Sequence, residues 1–177
     1  LPHANFPFLC ENYDFTNTEL DGLTQPFQIF HKGNIKVGVF GIGVELDGLV
    51  SPAMYGETKY QDPIDKAMDV SRHLKDDAGC DIIICLSHLG YYPRLNDWCD
   101  VKLAKETRNI DLIIGGHTHT FMDKPEVHKN LDEKRVLINQ AGWAGLVLGR
   151  VDFKFDKLKD ELTWSNESFD WTNHNIG

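Results

Sequence analysis

Two stretches of the chain are built to one plan. Asp81-Ile82-Ile83-Ile84-Cys85-Leu86-Ser87 runs into His88, and Asp111-Leu112-Ile113-Ile114-Gly115-Gly116 runs into His117 and His119. Each is an acidic residue, an apolar run, and a histidine where the run stops. A strand that is apolar throughout is buried on both faces, which is the habit of parallel sheets. The carboxyl ends of such strands are where open α/β folds place their ligands. The spacing from His88 to His117 matches the roughly 30 residues of a strand-helix-strand unit. A helix from Asp97 to about Arg108, with Trp98, Val101 and Ala104 on one face, supplies the connection. A right-handed crossover makes the two strands parallel neighbours. Three imidazoles then gather at one edge of one sheet, which predicts a metal site.

The other segments fill in a fold. Phe6 to Tyr13 reads as a strand, and Phe27–Phe30 with Ile35–Phe40 as a hairpin turning at Lys32-Gly33-Asn34. A loop rich in Gly and Pro follows, through Gly48, Pro52 and Gly56. Asp62-Pro63 opens a helix, Asp as N-cap and Pro at the first helical position. Ile64, Ala67, Met68, Ser71 and Leu74 mark its buried face, and Gly79 ends it. Beyond the histidine loop, Arg135–Asn139, Gly145–Phe155 and Glu161–Phe169 alternate apolar with polar, the pattern of antiparallel strands with one wet face. The expectation is α/β followed by β, in one domain.

Bulk properties narrow the partners. The 27 acidic residues against 18 basic ones, a formal charge of -9, argue against a nucleic acid polymer held through its phosphates. An anionic small substrate remains open if metal cations supply local positive charge. The apolar runs are too short for a membrane span. Cys10, Cys80, Cys85 and Cys99 show no Cys-x-x-Cys spacing; Cys85 reads as a small buried residue, and the redox compartment stays open. The start at Leu1-Pro2-His3 is expected to mark either processing or a piece of a longer protein.

A single histidine is usually a surface or satisfied core residue, so most of His3, His31, His73, His128 and His174 are expected to be solvated. His88, His117 and His119 differ because parallel strands converge them. Gly115-Gly116 permits a tight turn and close backbone approach. A His-x-His in a loop can aim at one ion or at two ions roughly 4 Å apart. Asp81 and Asp111 lie at the opposite strand ends and read as turn or cap residues. Asp123 and Glu126 could supply a carboxylate but read first as solvated loop. Ser87 lacks the Gly-x-Ser-x-Gly elbow of a hydrolase nucleophile and reads as packing or support for His88. Asn139-Gln140-Ala141-Gly142-Trp143 either walls the pocket or is a plain turn.

Cys85-Leu86-Ser87-His88-Leu89-Gly90, Gly115-Gly116-His117-Thr118-His119, Asn139-Gln140-Ala141-Gly142-Trp143-Ala144-Gly145 with Leu148-Gly149-Arg150-Val151-Asp152, and Asn5 to Asp14 at the start together resemble the calcineurin-like metallophosphoesterases, 5'-nucleotidase branch. The resemblance implies an α/β sandwich holding two divalent ions. His88 and His117 would bind one ion and His119 the other; Zn, Mn, Fe, Ni and Co all suit imidazole. It further implies a nucleotide or other phosphoester substrate and a periplasmic or extracellular location. The family's Asp-x-His, Gly-Asp and Gly-Asn-His-Glu/Asp motifs do not occur here; Gly33-Asn34 is followed by Ile35. The resemblance therefore implies that residues 1–177 correspond to the C-terminal half of a catalytic domain, expected to be incomplete by itself. Its expected partners are the missing N-terminal half or a second copy.

Three rival readings stand beside this one. Metal-dependent amidohydrolases also carry His-x-His at a strand end, but need a long barrel and further ligands, and only His128 and His174 follow here. Metallo-β-lactamase relatives need His-x-His-x-Asp-His, whereas Thr120, Phe121 and Met122 follow His119. A non-catalytic domain that binds a metal or a partner is the third.

Overall fold

The computed structural model describes residues 3–93, 98–159 and 161–170. In chain order the elements are β1 (Tyr13–Asp14), β2 (Phe27–Lys32), β3 (Ile35–Ile42), α1 (Pro52–Tyr55), β4 (Lys59–Tyr60), α2 (Pro63–Arg72), β5 (Ile82–Ser87), α3 (Asp100–Glu106), β6 (Leu112–Ile114), β7 (Glu126–Lys129), β8 (Arg135–Asn139), β9 (Val147–Asp156) and β10 (Glu161–Asp170). The central sheet has six strands in the order β2-β3-β5-β6-β8-β7. Its four inner strands are mutually parallel, and β2 and β7 close the edges antiparallel. β9 and β10 form a separate two-stranded hairpin, and β1 with β4 a small ribbon.

One face of the sheet carries the core. Phe40, Ile83, Cys85, Ile113, Val136 and Ile138 are sealed there beneath Ala67, Val70 and Leu74 from the α2 region and Leu103 and Ala104 from α3. Asp62 caps α2 as its type predicts, its Oδ1 accepting from the backbone N–H groups of Ile64 at 2.8 Å and Asp65 at 3.1 Å. The helix widens into a π-helical turn over His73–Asp77 before Gly79, at φ +66°, redirects the chain into β5. Asp81 and Asp111 secure the strand starts: Asp81 Oδ2 accepts from Lys36 N and Asp111 Oδ2 from Ile83 N, both at 2.8 Å.

Several expectations need correction. Phe6 to Tyr13 is not a strand. Leu9 makes one isolated bridge to Gln25, and only Tyr13–Asp14 pairs, with Lys59–Tyr60. The segment instead crosses close over the sheet: a Cβ at Gly41 would stand 2.2 Å from the Leu9 carbonyl oxygen. β8 is not a strand with one wet face. Val136, Leu137 and Ile138 are all buried, and β8 runs parallel to β6. Its short apolar run is what a strand covered on both faces looks like. The antiparallel partner of β8 is β7, which has too few apolar residues to be read as a strand. β9 and β10 do form the expected antiparallel pair. The Gly- and Pro-rich loop contains α1, and α3 is shorter than expected; Asp97 lies outside the described residues. So do Leu1, Pro2 and His174. All four cysteines are free thiols. No helix among the described residues is long and apolar enough to cross a membrane.

Replacing Asp62 by Ala strands two N–H groups at the start of α2. We expect a loss of about 1 kcal/mol, read from the midpoint of urea unfolding at unchanged slope.

Candidate metal centre

β5 and β6 pair in parallel with Leu86 opposite Ile114, so their carboxyl ends finish side by side. His88 follows β5 directly, its N–H donating to Ile42 O at 2.9 Å. Beyond β6, Gly115 N donates to Asn139 O at 2.9 Å, and the chain turns through Gly116 into His117. The His88 and His117 rings come to rest with centroids 5.3 Å apart and planes at 66°. Gly116 makes this approach physical: a Cβ there would lie 2.8 Å from His88 Nδ1.

The loop is held in an uncommon conformation. His117 at φ +68° and His119 at φ +54° both occupy the left-handed region. Such residues cost on the order of 1–3 kcal/mol each and persist only where the surroundings over-determine them. The surroundings do so through Gln140, which is 1% exposed. Its Nε2 donates to Gly116 O at 2.8 Å, and its Oε1 accepts from Thr120 N at 2.6 Å and Thr118 Oγ1 at 3.3 Å. Thr118 Oγ1 also accepts from Tyr91 N at 2.9 Å. The bonds fall on both sides of His117 and of His119.

His119 does not join the ring pair. Its imidazole stacks on Trp143, centroids 5.7 Å apart and planes within 15°. Among the described residues no three His, Cys, Asp or Glu side chains gather closely enough to hold an ion. The chain thus presents two imidazoles together and a third beside them. Glu126 is engaged by the Tyr91 hydroxyl, with His128 Nε2 at 3.6 Å. His73 pairs with Asp77 at 2.8 Å in solvent, and His3 and His31 are exposed.

The ring-centre spacing of His88 and His117 matches that expected of two imidazoles sharing one ion. Two imidazoles on one tetrahedral ion at an M–N distance of about 2.0–2.1 Å put their ring centres about 5 Å apart. Burial, with the neighbouring His117 and His119 adding to it, holds the His88 pKa below its ordinary value. The neutral ring keeps a lone pair for coordination.

Beneath the pair lies a residue that sequence reasoning passed over. Asp100, at the first position of α3, is 0% exposed. Its Oδ1 accepts from Ser87 Oγ at 2.5 Å, while Oδ2 is buried with no hydrogen-bond partner. Burial pushes its pKa up from 3.8 to about 7, although Ser87 and the nearby Gln140 amide pull it down. An acidic residue in the first turn of a helix ordinarily signals dipole compensation, so nothing in the sequence marks this one as interior.

The folded chain holds the Asp100 proton up to about pH 7, while the unfolded chain releases it near 3.8. The unfolded state therefore binds fewer protons between those values. The contribution of this group to stability is complete below pH 4 and declines as pH rises to 7. Asp100→Asn should flatten that limb of the melting temperature against pH, as measured by calorimetry.

No family model matches the chain. It is similar to the trifunctional nucleotide phosphoesterase protein YfkN of Bacillus subtilis, 35% identical over 132 residues, which is 75% of this chain and 8% of that protein. It is 33% identical over 172 residues to the 5'-nucleotidase of Vibrio cholerae, covering 86% of this chain and 31% of the relative. Among solved structures, a 5'-nucleotidase precursor from Thermus thermophilus superposes with a TM-score of 0.79 at 28% identity, over 96% of this chain and 34% of that one. The calcineurin-like phosphoesterase YfkN superposes at 0.65 over 93% of this chain and 56% of that one; at 24% identity this speaks to the fold alone. The chain thus spans about a third or less of the curated relatives it matches. Its mixed sheet and strand-end histidine loop accompany these similarities: the chain belongs to the 5'-nucleotidase family.

Proposed function

We propose that residues 1–177 form the C-terminal half of the catalytic domain of a metal-dependent phosphoester hydrolase acting on nucleotides. The observation that carries the proposal is the His88–His117 ring pair, 5.3 Å apart at paired carboxyl ends of parallel strands, in a chain similar to 5'-nucleotidases. His88 and His117 hold one divalent ion, and His119, steadied by Trp143, serves a second. Zn, Mn, Fe, Ni and Co all accept imidazole. When bound, such ions polarise a phosphoryl oxygen and lower the pKa of water toward about 7. The chain's own part is to keep His88 neutral, fix the two rings and hold the loop rigid. The remaining ligands come from a segment outside this sequence, and the location is periplasmic or extracellular.

Purified chain is assayed against nucleoside monophosphates and p-nitrophenyl phosphate with added Mn or Zn, alongside elemental analysis. We expect metal uptake that His117→Ala abolishes and turnover far below that of intact relatives. Turnover equal to theirs would sink the claim that the chain is catalytically incomplete.

The absence of a third coordinating side chain close to the ring pair among the described residues favours one alternative, a domain that binds metal or a partner without chemistry. Activity regained on adding the upstream half separates a severed enzyme from that alternative. The barrel of the amidohydrolase reading is unlike this open six-stranded sheet with antiparallel edges.

The sheet face away from α2 and α3 supports the half-domain reading. Leu86 is 41% exposed and Ile114 45%, side by side on β5 and β6. Contiguous exposed apolar surface marks an interaction site. We expect self-association by light scattering, reduced in a Leu86→Ser/Ile114→Ser variant and suppressed by the upstream half. A clean monomer at all concentrations would count against an uncovered interface.

A further inference from the structure

We propose that Asp100 is a positioning residue for the metal centre: one buried carboxyl links the strand end that carries His88 to the loop that carries His117 and His119. This rests on the reading of those histidines as ligands. Asp100 itself touches no imidazole, and its route to each is short.

On one side, Asp100 Oδ1 accepts a hydrogen bond from the Ser87 hydroxyl at 2.5 Å, and Ser87 Oγ accepts from Leu89 N at 3.2 Å. Ser87 and Leu89 flank His88, so the carboxyl fixes the backbone on both sides of that ring. On the other side, Asp100 Oδ2 packs against the loop backbone. A Cβ at Gly115 would lie 2.2 Å from Oδ2 and 3.0 Å from Gln140 Nε2. The carboxyl and the Gln140 amide therefore meet at one point under Gly115, and Gln140 grips Gly116 and Thr120 above it. Asp100 N, donating to Gly90 O at 2.7 Å, ties in the turn after His88 as well.

The burial is hard to explain as stability alone. An interior carboxyl met only by the Ser87 hydroxyl and the nearby Gln140 amide is costly to bury. Helix α3 needs no such group, because Cys99 already caps it through Sγ, which accepts from Lys102 N at 3.4 Å. What the carboxyl joins is the pair of backbone segments whose separation sets the distance between the His88 and His117 rings. A gap between those segments would leave the ring pair unspecified even with every histidine present. Groups that orient metal ligands in this way typically change metal affinity about 10- to 100-fold when replaced.

The test uses the full chain with cobalt(II) as the probe, followed by its visible absorption, and the imidazole ¹⁵N spectra of metal-free protein. Asp100→Asn keeps the shape but sets an amide N–H₂ against Gly115 and the Gln140 amide. The expected result is a folded protein whose His88 and His117 ring resonances shift or broaden before metal is added. Its cobalt affinity should fall about 10- to 100-fold. A lowered melting temperature with ring resonances and cobalt affinity as in wild type would make Asp100 a stability element only and overturn the proposal. If Asp100→Asn does not fold, Ser87→Ala removes one arm of the link and is judged by the same two readouts. His117→Ala is the control for the reading underneath. Cobalt binding that survives it removes the metal assignment, and the metal-free ring spectra then decide alone whether Asp100 fixes the imidazoles.

Discussion

Everything at the histidine edge depends on the parallel pairing of β5 with β6. Leu86 stands opposite Ile114, so both strands end at the same level. A slip of one residue would turn every side chain to the other face. It would bury the wrong set against α2 and α3 and separate His88 from His117. The register is secured at the far end by Asp111, whose carboxylate accepts from Ile83 N, and within by Ile83, Cys85 and Ile113, all 0% exposed. Core packing on one side of the sheet thereby dictates distances at its rim.

Above that frame the loop is a conditional structure. Left-handed backbone at His117 and His119 is unfavourable in isolation, and its restraint comes from groups contributed by other elements. The Gln140 side chain arrives from the end of β8, the Tyr91 backbone N–H from the turn after β5, and the Asp100 carboxyl, against Gly115, from the start of α3. Buried polar networks of this kind rigidify when satisfied and are costly when broken. The histidine geometry is thus a tertiary property, although the His-x-His itself is local.

That division explains what could be read from residues alone. The strands around Ile82–Ser87 and Leu112–Ile114 were legible because an unbroken apolar run between an aspartate and a histidine allows few other structures. Helix α2 was legible from Asp62-Pro63 and its apolar spacing. The hairpin turn was marked by Gly33-Asn34. β7 was not legible, because Glu126-Val127-His128-Lys129 borrows its order from β8. The segment around Phe6 misled because aromatic residues favour strands, yet Phe6 and Phe8 here are exposed and the chain crosses the sheet end instead. Ser87 was read as packing or as support for His88, but its partner Asp100 lies in a helix, and burial of a single helical aspartate leaves no periodic trace. Trp143 was named in a segment that either walls the pocket or is a plain turn, and its stack on His119 emerges only when the fold brings two loops together.

The pair Gly115-Gly116 is confined from two directions, by the Asp100 carboxyl below one residue and the His88 ring beside the other. Its tolerance to change is therefore contingent on history. A lineage that first shortened Asp100 could afterwards admit alanine at position 115, whereas the reverse order passes through a steric collision of methyl with carboxyl. Drift across this site should accordingly be epistatic, with the aspartate acting as gatekeeper for the glycine.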